Sequence, residues 1–218
     1  MPSDIKIRSL IGAGIRTYIP SIVQVRSEVL RDLPYLRSGS VEEDTFYLQR
    51  LSQIKDAIAV LVFDGTQVIG VAMGLPLENE RPLLKKPLFD QGENLADYYL
   101  FGICVLLPSY RGRGIAHHFF DIRETHVQHL KRFKKVCLTE LVSPKTTQEQ
   151  SSAYISLDSL WKKRGYVQHQ NLLCKYTWRL EPISLVYWIK ELSSSPVEES
   201  VARGYSYVEA IRSFNSKE

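Results

Sequence analysis

One stretch of the sequence pairs glycines with arginines at the end of an apolar run: Leu106-Leu107-Pro108-Ser109-Tyr110-Arg111-Gly112-Arg113-Gly114-Ile115-Ala116. Beyond it Ile115, Phe119, Ile122, Leu130 and Phe133 recur near helical spacing, so a strand turns here into an amphipathic helix. The start of a helix leaves backbone N–H groups without intrahelical acceptors and carries the positive end of the macrodipole, which together make a site for phosphate or pyrophosphate. Gly112 and Gly114 bring no Cβ into the path of a phosphate oxygen, and Arg111 and Arg113 can add charge-assisted contacts from the rim. With Ile115 and Ala116 opening the helix, these six residues are the candidate anion cradle. The plainer alternative is a tight strand-to-helix turn with two solvated arginines.

Other residues with chemistry in their side chains form weaker patterns. Glu140 lies inside the otherwise apolar run Val136 to Val142, where a buried strand avoids an unpaired charge; it is either a general base or an outward-facing strand residue. His117, His118, His126 and His129 share one helix without an HExxH or Cys/His spacing, so no metal site is expected. Lys131-Arg132-Phe133-Lys134-Lys135 suits a helix C-terminus better than nucleic acid. Gly12-Ala13-Gly14 superficially matches a dinucleotide fingerprint, but Thr17 takes the third glycine position and no βαβ unit follows, so it is expected to be a loop. Cys104, Cys137 and Cys174 are an odd set inside apolar segments and are expected to be reduced, buried thiols.

Strands and helices must hold these groups in place. Asp4 to Leu10 has the alternation of a strand, and Ile15 to Leu30 the spacing of a helix. Ser40 with Glu43 is a capping box for a second helix, with Phe46, Tyr47, Leu51 and Ile54 as its apolar face. Ala57 to Phe63 and Val68 to Met73 flank Asp64-Gly65 as a hairpin. From Pro76 to Ala96 three prolines and mixed charges predict a long surface loop. Asp97 to Leu107 then reads as a strand, Ile115 to Phe133 as a helix, Lys135 to Val142 as a strand, Ser151 to Lys163 as a helix and Val167 to Leu180 as a strand region. This alternation predicts an α/β fold, one mixed sheet with helices on both faces. After Leu192, Ser195 as N-cap, Pro196 and Glu198 predict a further helix, so the expected organisation is one domain over residues 1–192 and a helical C-terminal extension over residues 193–218.

The chain has 218 residues, 44% hydrophobic and 24% charged, enough for one substantial core, and its formal net charge of +4 is too small and dispersed to demand nucleic acid. Without a signal-like N-terminus or an apolar run long enough to span a bilayer, a cytoplasmic protein with no membrane association is expected.

Arg111, Gly114 and Ala116, following a strand that ends near Pro108, resemble the R/Q-x-x-G-x-G/A motif of the GNAT superfamily of N-acyltransferases. The order of elements over residues 4 to 180 is similar to that superfamily's. Leu160-Trp161-Lys162-Lys163-Arg164-Gly165-Tyr166 resembles its (L/F)-Y-x-K-x-G-F segment. The resemblance implies a sheet whose fourth and fifth strands splay apart, with acetyl-CoA as cosubstrate, its pyrophosphate on the glycine loop and its pantetheine arm along Val105 and Leu106. It implies direct transfer of an acetyl group to a primary amine, on a small molecule or peptide, and homodimerisation is plausible. Backbone N–H groups near Val105 and Leu106 would stabilise the oxyanion. The phenol that commonly protonates the thiolate is here Trp161, whose indole has no accessible acid–base pKa. Tyr154, two helical turns earlier, is the candidate substitute or else a partly buried helix tyrosine. The departure at Trp161 keeps a non-catalytic acetyl-CoA sensor or interaction protein open as the alternative.

Overall fold

Apolar and small residues fill positions 58 to 75 apart from a short polar break, and the chain folds back on itself there. In the computed structural model, which describes residues 5–31, 40–142, 157–178 and 181–192, β2 (Ile58–Asp64) pairs antiparallel with β3 (Gln67–Pro76), and Gly65 takes the positive φ of 57° that so short a turn requires. β1 (Ile5–Ile11) extends the sheet beyond β2, and β4 (Tyr98–Leu106) lies on the other side of β3. β5 (Lys135–Val142) runs parallel to β4, the one parallel pairing among the described residues, and a second hairpin of β6 (Val167–Trp178) and β7 (Glu181–Glu191) completes the order β1-β2-β3-β4-β5-β7-β6.

Successive side chains on a strand point to opposite faces, so the unbroken burial of Val68 to Pro76 means that β3 is covered on both. One cover is α1 (Ile19–Leu30), packed on β3 and β4; the other is α4 (Ile115–Leu130), packed on β2 and β3. α2 (Val41–Leu51) leans on α1 and starts in the expected capping box, Ser40 Oγ accepting from the Glu43 N–H while the Glu43 carboxylate accepts from the Ser40 N–H. α5 (Asp158–Lys163) is short. The α/β class, the mixed sheet and the helices on both faces stand as expected.

Four expectations need correction. The first helix begins at Ile19, behind a 3-10 turn over Gly12–Tyr18, because Pro20 suits a first helical turn and no interior position. Phe46 is 64% exposed, and the buried face of α2 is Leu48 and Leu51. The segment from Pro76 to Ala96 is no loop: it holds a 3-10 turn at Leu77–Asn79, α3 (Pro82–Asp90) against β6, and a second turn at Leu95–Asp97. Pro82 occupies the first turn of α3, where its missing N–H costs nothing. Pro87 deprives the Leu83 carbonyl of its helical donor, and the Cys174 thiol from β6 donates to that carbonyl instead at 3.4 Å, while Tyr187 from β7 donates to Leu84 O. Finally, the apolar run Ile183 to Ile189, which sequence reasoning passed over, is β7, inserted between β5 and β6. The expected helix beyond residue 193 and the start of the helix expected from Ser151 lie outside the described residues.

Candidate functional site

The glycine loop is braced by its own side chains. Leu107 N–H donates to Ile69 O at 2.9 Å as β4 ends, and Pro108–Tyr110 makes a single 3-10 turn. Tyr110 reaches back to the β2–β3 turn, its hydroxyl donating to Asp64 at 2.7 Å. Arg111 Nε donates to Leu106 O at 3.2 Å, and Arg113 donates to Ser109 O at 2.9 Å with its guanidinium 5.1 Å from the Tyr110 ring. Both arginines therefore turn part of their donor capacity onto the loop itself.

Gly112 and Gly114 have φ of 74° and 78°, values that L-residues rarely adopt, and a Cβ built on either meets nothing within 4 Å. Their requirement is conformational, and the space beside them is open. Gly114 is the N-cap of α4 and supplies no side-chain acceptor, and the first turn holds no acidic residue. Ile115 and Ala116 thus open a sixteen-residue helix whose positive end has no carboxylate from its own first turn. The cradle fits a phosphate group in conformation, space and charge.

Beside this loop the sheet comes apart. β4 pairs with β5 from Tyr98↔Lys135 to Phe101↔Leu138 and no further, while on its other side it stays paired with β3 up to Leu106. Gly102 and Cys104 are exposed and Ile103, Val105 and Leu106 half-buried, which marks one edge of the strand as open. The expected divergence of the fourth and fifth strands is present, and Val105 and Leu106 lie on its open stretch. Between Ala72↔Cys104 and Gly74↔Phe101 the register slips by one: Gly102 and Ile103 together face Met73, a β-bulge at the mouth of the divergence. The exposure of Cys104 corrects the expectation that all three cysteines are buried. Loss of β5 beyond Phe101 uncovers the strand there, although desolvation beside α4 still pushes the Cys104 thiol up, opposed by Arg123.

Glu140 stands two residues past the last β4–β5 pair, where continued pairing would have set it opposite Ile103. Its carboxylate accepts from Trp188 Nε1 at 2.8 Å and from Gln168 Nε2 at 3.2 Å. Burial first, and the neighbouring Asp158 carboxyl after it, raise its pKa above the usual carboxylate value, with the Trp188 bond pulling the other way. Trp161 is 8% exposed and meets Trp188 edge-on at 5.2 Å, so the position expected for a phenol holds a packed indole. Tyr166 is no replacement, since its hydroxyl is buried on Glu124 at 3.0 Å. Tyr154 lies outside the described residues.

Glu124 also accepts from Lys190 at 3.0 Å, and Arg164 pairs with Asp121, so α4 is tied to β7 and to the turn after α5. Of the basic run after α4, Lys131 is the helix C-cap, and three of the other cations reach other elements. Arg132 pairs with Asp56 at 2.8 Å, Lys134 with Asp97 at 2.9 Å and Lys135 with Glu93 at 3.1 Å. Among the described residues no group of three or more His, Cys, Asp or Glu is arranged to hold a metal, and no described helix is long and apolar enough to cross a membrane.

Sequence reasoning found the loop and the open strand but missed the bulge, which hydropathy cannot reveal, and Arg123. The latter did leave a signal: it falls on the buried stripe Ile115, Phe119, Phe120 and Val127, where a charge is out of place. A groove of about 510 Å³ between α1 and α2, lined by Ile19, Pro20, Val23 and Val41, and a hollow of about 400 Å³ around Arg50, Lys55 and Arg132 both lie away from the loop.

No family model and no curated protein matches the chain in sequence. Solved structures do match in fold. NAA60 of Arabidopsis thaliana, in complex with a bisubstrate analogue, is 15% identical with a TM-score of 0.57 over 88% of this chain and 99% of that one. An acetyltransferase of the GNAT family from Streptococcus pneumoniae is 13% identical with a TM-score of 0.55 over 87% and 100%. The ribosomal-protein-alanine N-acetyltransferase of Brucella melitensis is 12% identical with a TM-score of 0.58 over 86% and 99%. The fold of the chain is that of the GNAT acetyltransferases.

Proposed function

We propose that the chain is a cytoplasmic N-acetyltransferase that moves an acetyl group from acetyl-CoA to a primary amine on a small molecule or peptide by direct transfer. The observation that carries the reading is the pairing of an uncapped helix N-terminus, set by two positive-φ glycines, with a strand edge that opens immediately before it. The pyrophosphate would rest on Arg111 to Ala116, and the pantetheine arm would run back along Val105 and Leu106 toward the bulge, where the gap narrows to the Phe101↔Leu138 pair. The amine nitrogen forms a bond to the thioester carbon, the carbon–sulfur bond breaks, the amine gives up one proton and the departing thiolate takes one. Backbone N–H groups of the open strand would stabilise the oxyanion. Glu140, with its raised pKa, would accept the amine proton, and Tyr154 would supply the thiolate proton in the place of a phenol at Trp161.

Calorimetric titration with acetyl-CoA, followed by a screen of amine acceptors for thiol release, tests the reading. Saturable binding and acceptor-dependent thiol release are expected. A well-folded chain that binds no acetyl-CoA overturns it. The packed Trp161 favours a second reading, an acetyl-CoA sensor without turnover, in which binding is retained and no acceptor releases thiol.

A further inference from the structure

Arg123, 1% exposed, is the most deeply buried charged side chain among the described residues. It leaves α4 two turns beyond the glycine loop and points into the sheet. Its Nε donates to Phe119 O at 2.9 Å within the helix, and one terminal nitrogen donates to Met73 O at 3.1 Å. The guanidinium lies 4.2 Å from the centre of the Phe101 ring and 5.0 Å from that of Phe120. Among the described residues no carboxylate forms an ion pair with it. Desolvation pulls its pKa down, but a guanidinium stays charged in a protein interior. A buried cation without a paired carboxylate is costly, and a leucine or methionine would fill the same stripe at no such cost.

Its contacts converge on one place. Met73 is the β3 residue that faces the two bulged residues Gly102 and Ile103, and Phe101 is the last β4 residue paired with β5. One side chain therefore grips the carbonyl opposite the bulge and the ring beside it, directly under the point where the two strands part. We propose that Arg123 is a positioning residue for acyl transfer: it holds the Gly102–Ile103 bulge in register and sets a fixed positive charge beneath the mouth of the divergence, where the thioester carbonyl comes to lie. The proposal rests on the reading that the chain binds acetyl-CoA. Arg123 stands eight residues, about 12 Å, beyond Ile115 on the same rigid helix, so α4 would set the distance between the phosphate end and the acyl end of the donor. Charge fixed in advance where negative charge develops acts on the transition state without reorganisation, and the burial of Arg123 limits its screening by water.

Acetyl-CoA carrying carbon-13 in its carbonyl, bound to wild type, Arg123→Met and Arg123→Lys, reads the effect directly in the isotope-edited infrared band, alongside affinity and melting temperature. Wild type is expected to move the bound carbonyl band to lower frequency. Arg123→Met is expected to lose most of that displacement while its affinity changes less than about threefold, because the phosphate loop is untouched. Arg123→Lys keeps the charge without the fork and is expected to retain part of the displacement even if the methionine variant is unstable. A wild-type band that does not move on binding overturns the proposal, as does a folded variant that keeps the full displacement or loses it only in step with affinity. If wild type binds no acetyl-CoA, the donor reading itself fails, an outcome distinct from binding without displacement.

Discussion

Gly114 and Gly92 allow the backbone and the binding roles of the loop to be separated. Their φ values are 78° and 75°, and a Cβ on either meets nothing within 4 Å, so alanine at each position incurs the same kind of strain without a clash. An L-residue held in this region costs about 1–2 kcal/mol, partly offset by the lower chain entropy of unfolded alanine, about 0.4–1 kcal/mol. A net loss of about 1 kcal/mol lowers the melting temperature of a chain of this size by about 2–4 °C. Both variants should show it. Their ligand binding should differ, because Gly92 lies after α3 and far along the chain from the loop, whereas relaxing Gly114 toward negative φ swings the first N–H groups of α4 off the line of an approaching phosphate. A hydrogen bond to a charged group contributes about 1.5–3 kcal/mol, so losing one weakens binding roughly 10- to 100-fold. Differential scanning calorimetry and acetyl-CoA titration of Gly92→Ala and Gly114→Ala make the comparison. Equal destabilisation with equal affinity would refute the assignment of the loop as the anion site.

Four further outcomes are expected. With the pKa of Glu140 raised, a rate that depends on it as base climbs as pH passes through that raised value, and Glu140→Gln is expected to flatten this limb of the kcat/KM profile; an unchanged profile removes Glu140 from the mechanism. The same shift means that the folded state holds the Glu140 proton more tightly than the unfolded one, so the contribution of this group to stability is present below the ordinary carboxylate value and lost as pH rises through the raised one, a decline that thermal melts of Glu140→Gln should lack. Tyr154→Phe is expected to lower kcat with little change in KM, and unchanged turnover would rule it out as the proton donor. Deleting residues 193–218 is expected to lower the melting temperature while leaving the oligomeric mass in analytical ultracentrifugation unchanged, as a helix covering its own domain would; a fall from dimer to monomer would place that segment at an interface instead.

Local signals carried most of the architecture. The β2–β3 hairpin, the Ser40–Glu43 capping box and the strand–glycine–helix passage each depend on residues within a few positions of one another, and each stands in the fold where its chemistry puts it. The misjudged parts depend on distant partners. Three prolines suggested a loop after residue 76, but Pro87 is tolerated in α3 because groups from Cys174 and Tyr187, about ninety and a hundred residues downstream, occupy the carbonyls near it. The apolar run Ile183 to Ile189 is a local strand signal, but its place between β5 and β6 is long-range, and nothing near Ile183 announces β5 as its neighbour. Spacing alone puts Phe46 on the apolar face of α2, whereas α1 fixes which face of α2 is covered. The bulge belongs to the same class: a one-residue slip between β3 and β4 leaves no trace in the hydropathy of either strand.

The contrast between a clear match in fold and identities of 12–15% has a physical basis in the candidate site. The proposed phosphate donors are the main-chain N–H groups at the start of α4, the proposed acyl-binding edge is the main chain of β4 past Phe101, and the bulge is a matter of register. None of these demands a particular side chain, apart from glycines where φ must be positive. Selection for such a site acts on backbone shape, and many sequences satisfy one shape as long as their apolar patterns bury the same strands. Side chains that touch reacting atoms are constrained in a different way, since only a titratable group can move a proton. Trp161 is therefore the most informative departure in the chain. Where the resemblance implies a phenol it offers no acid and leaves the main chain of the proposed site untouched, so under the proposed function the acid either comes from another element or is not needed, and only turnover, never binding, can separate those two cases.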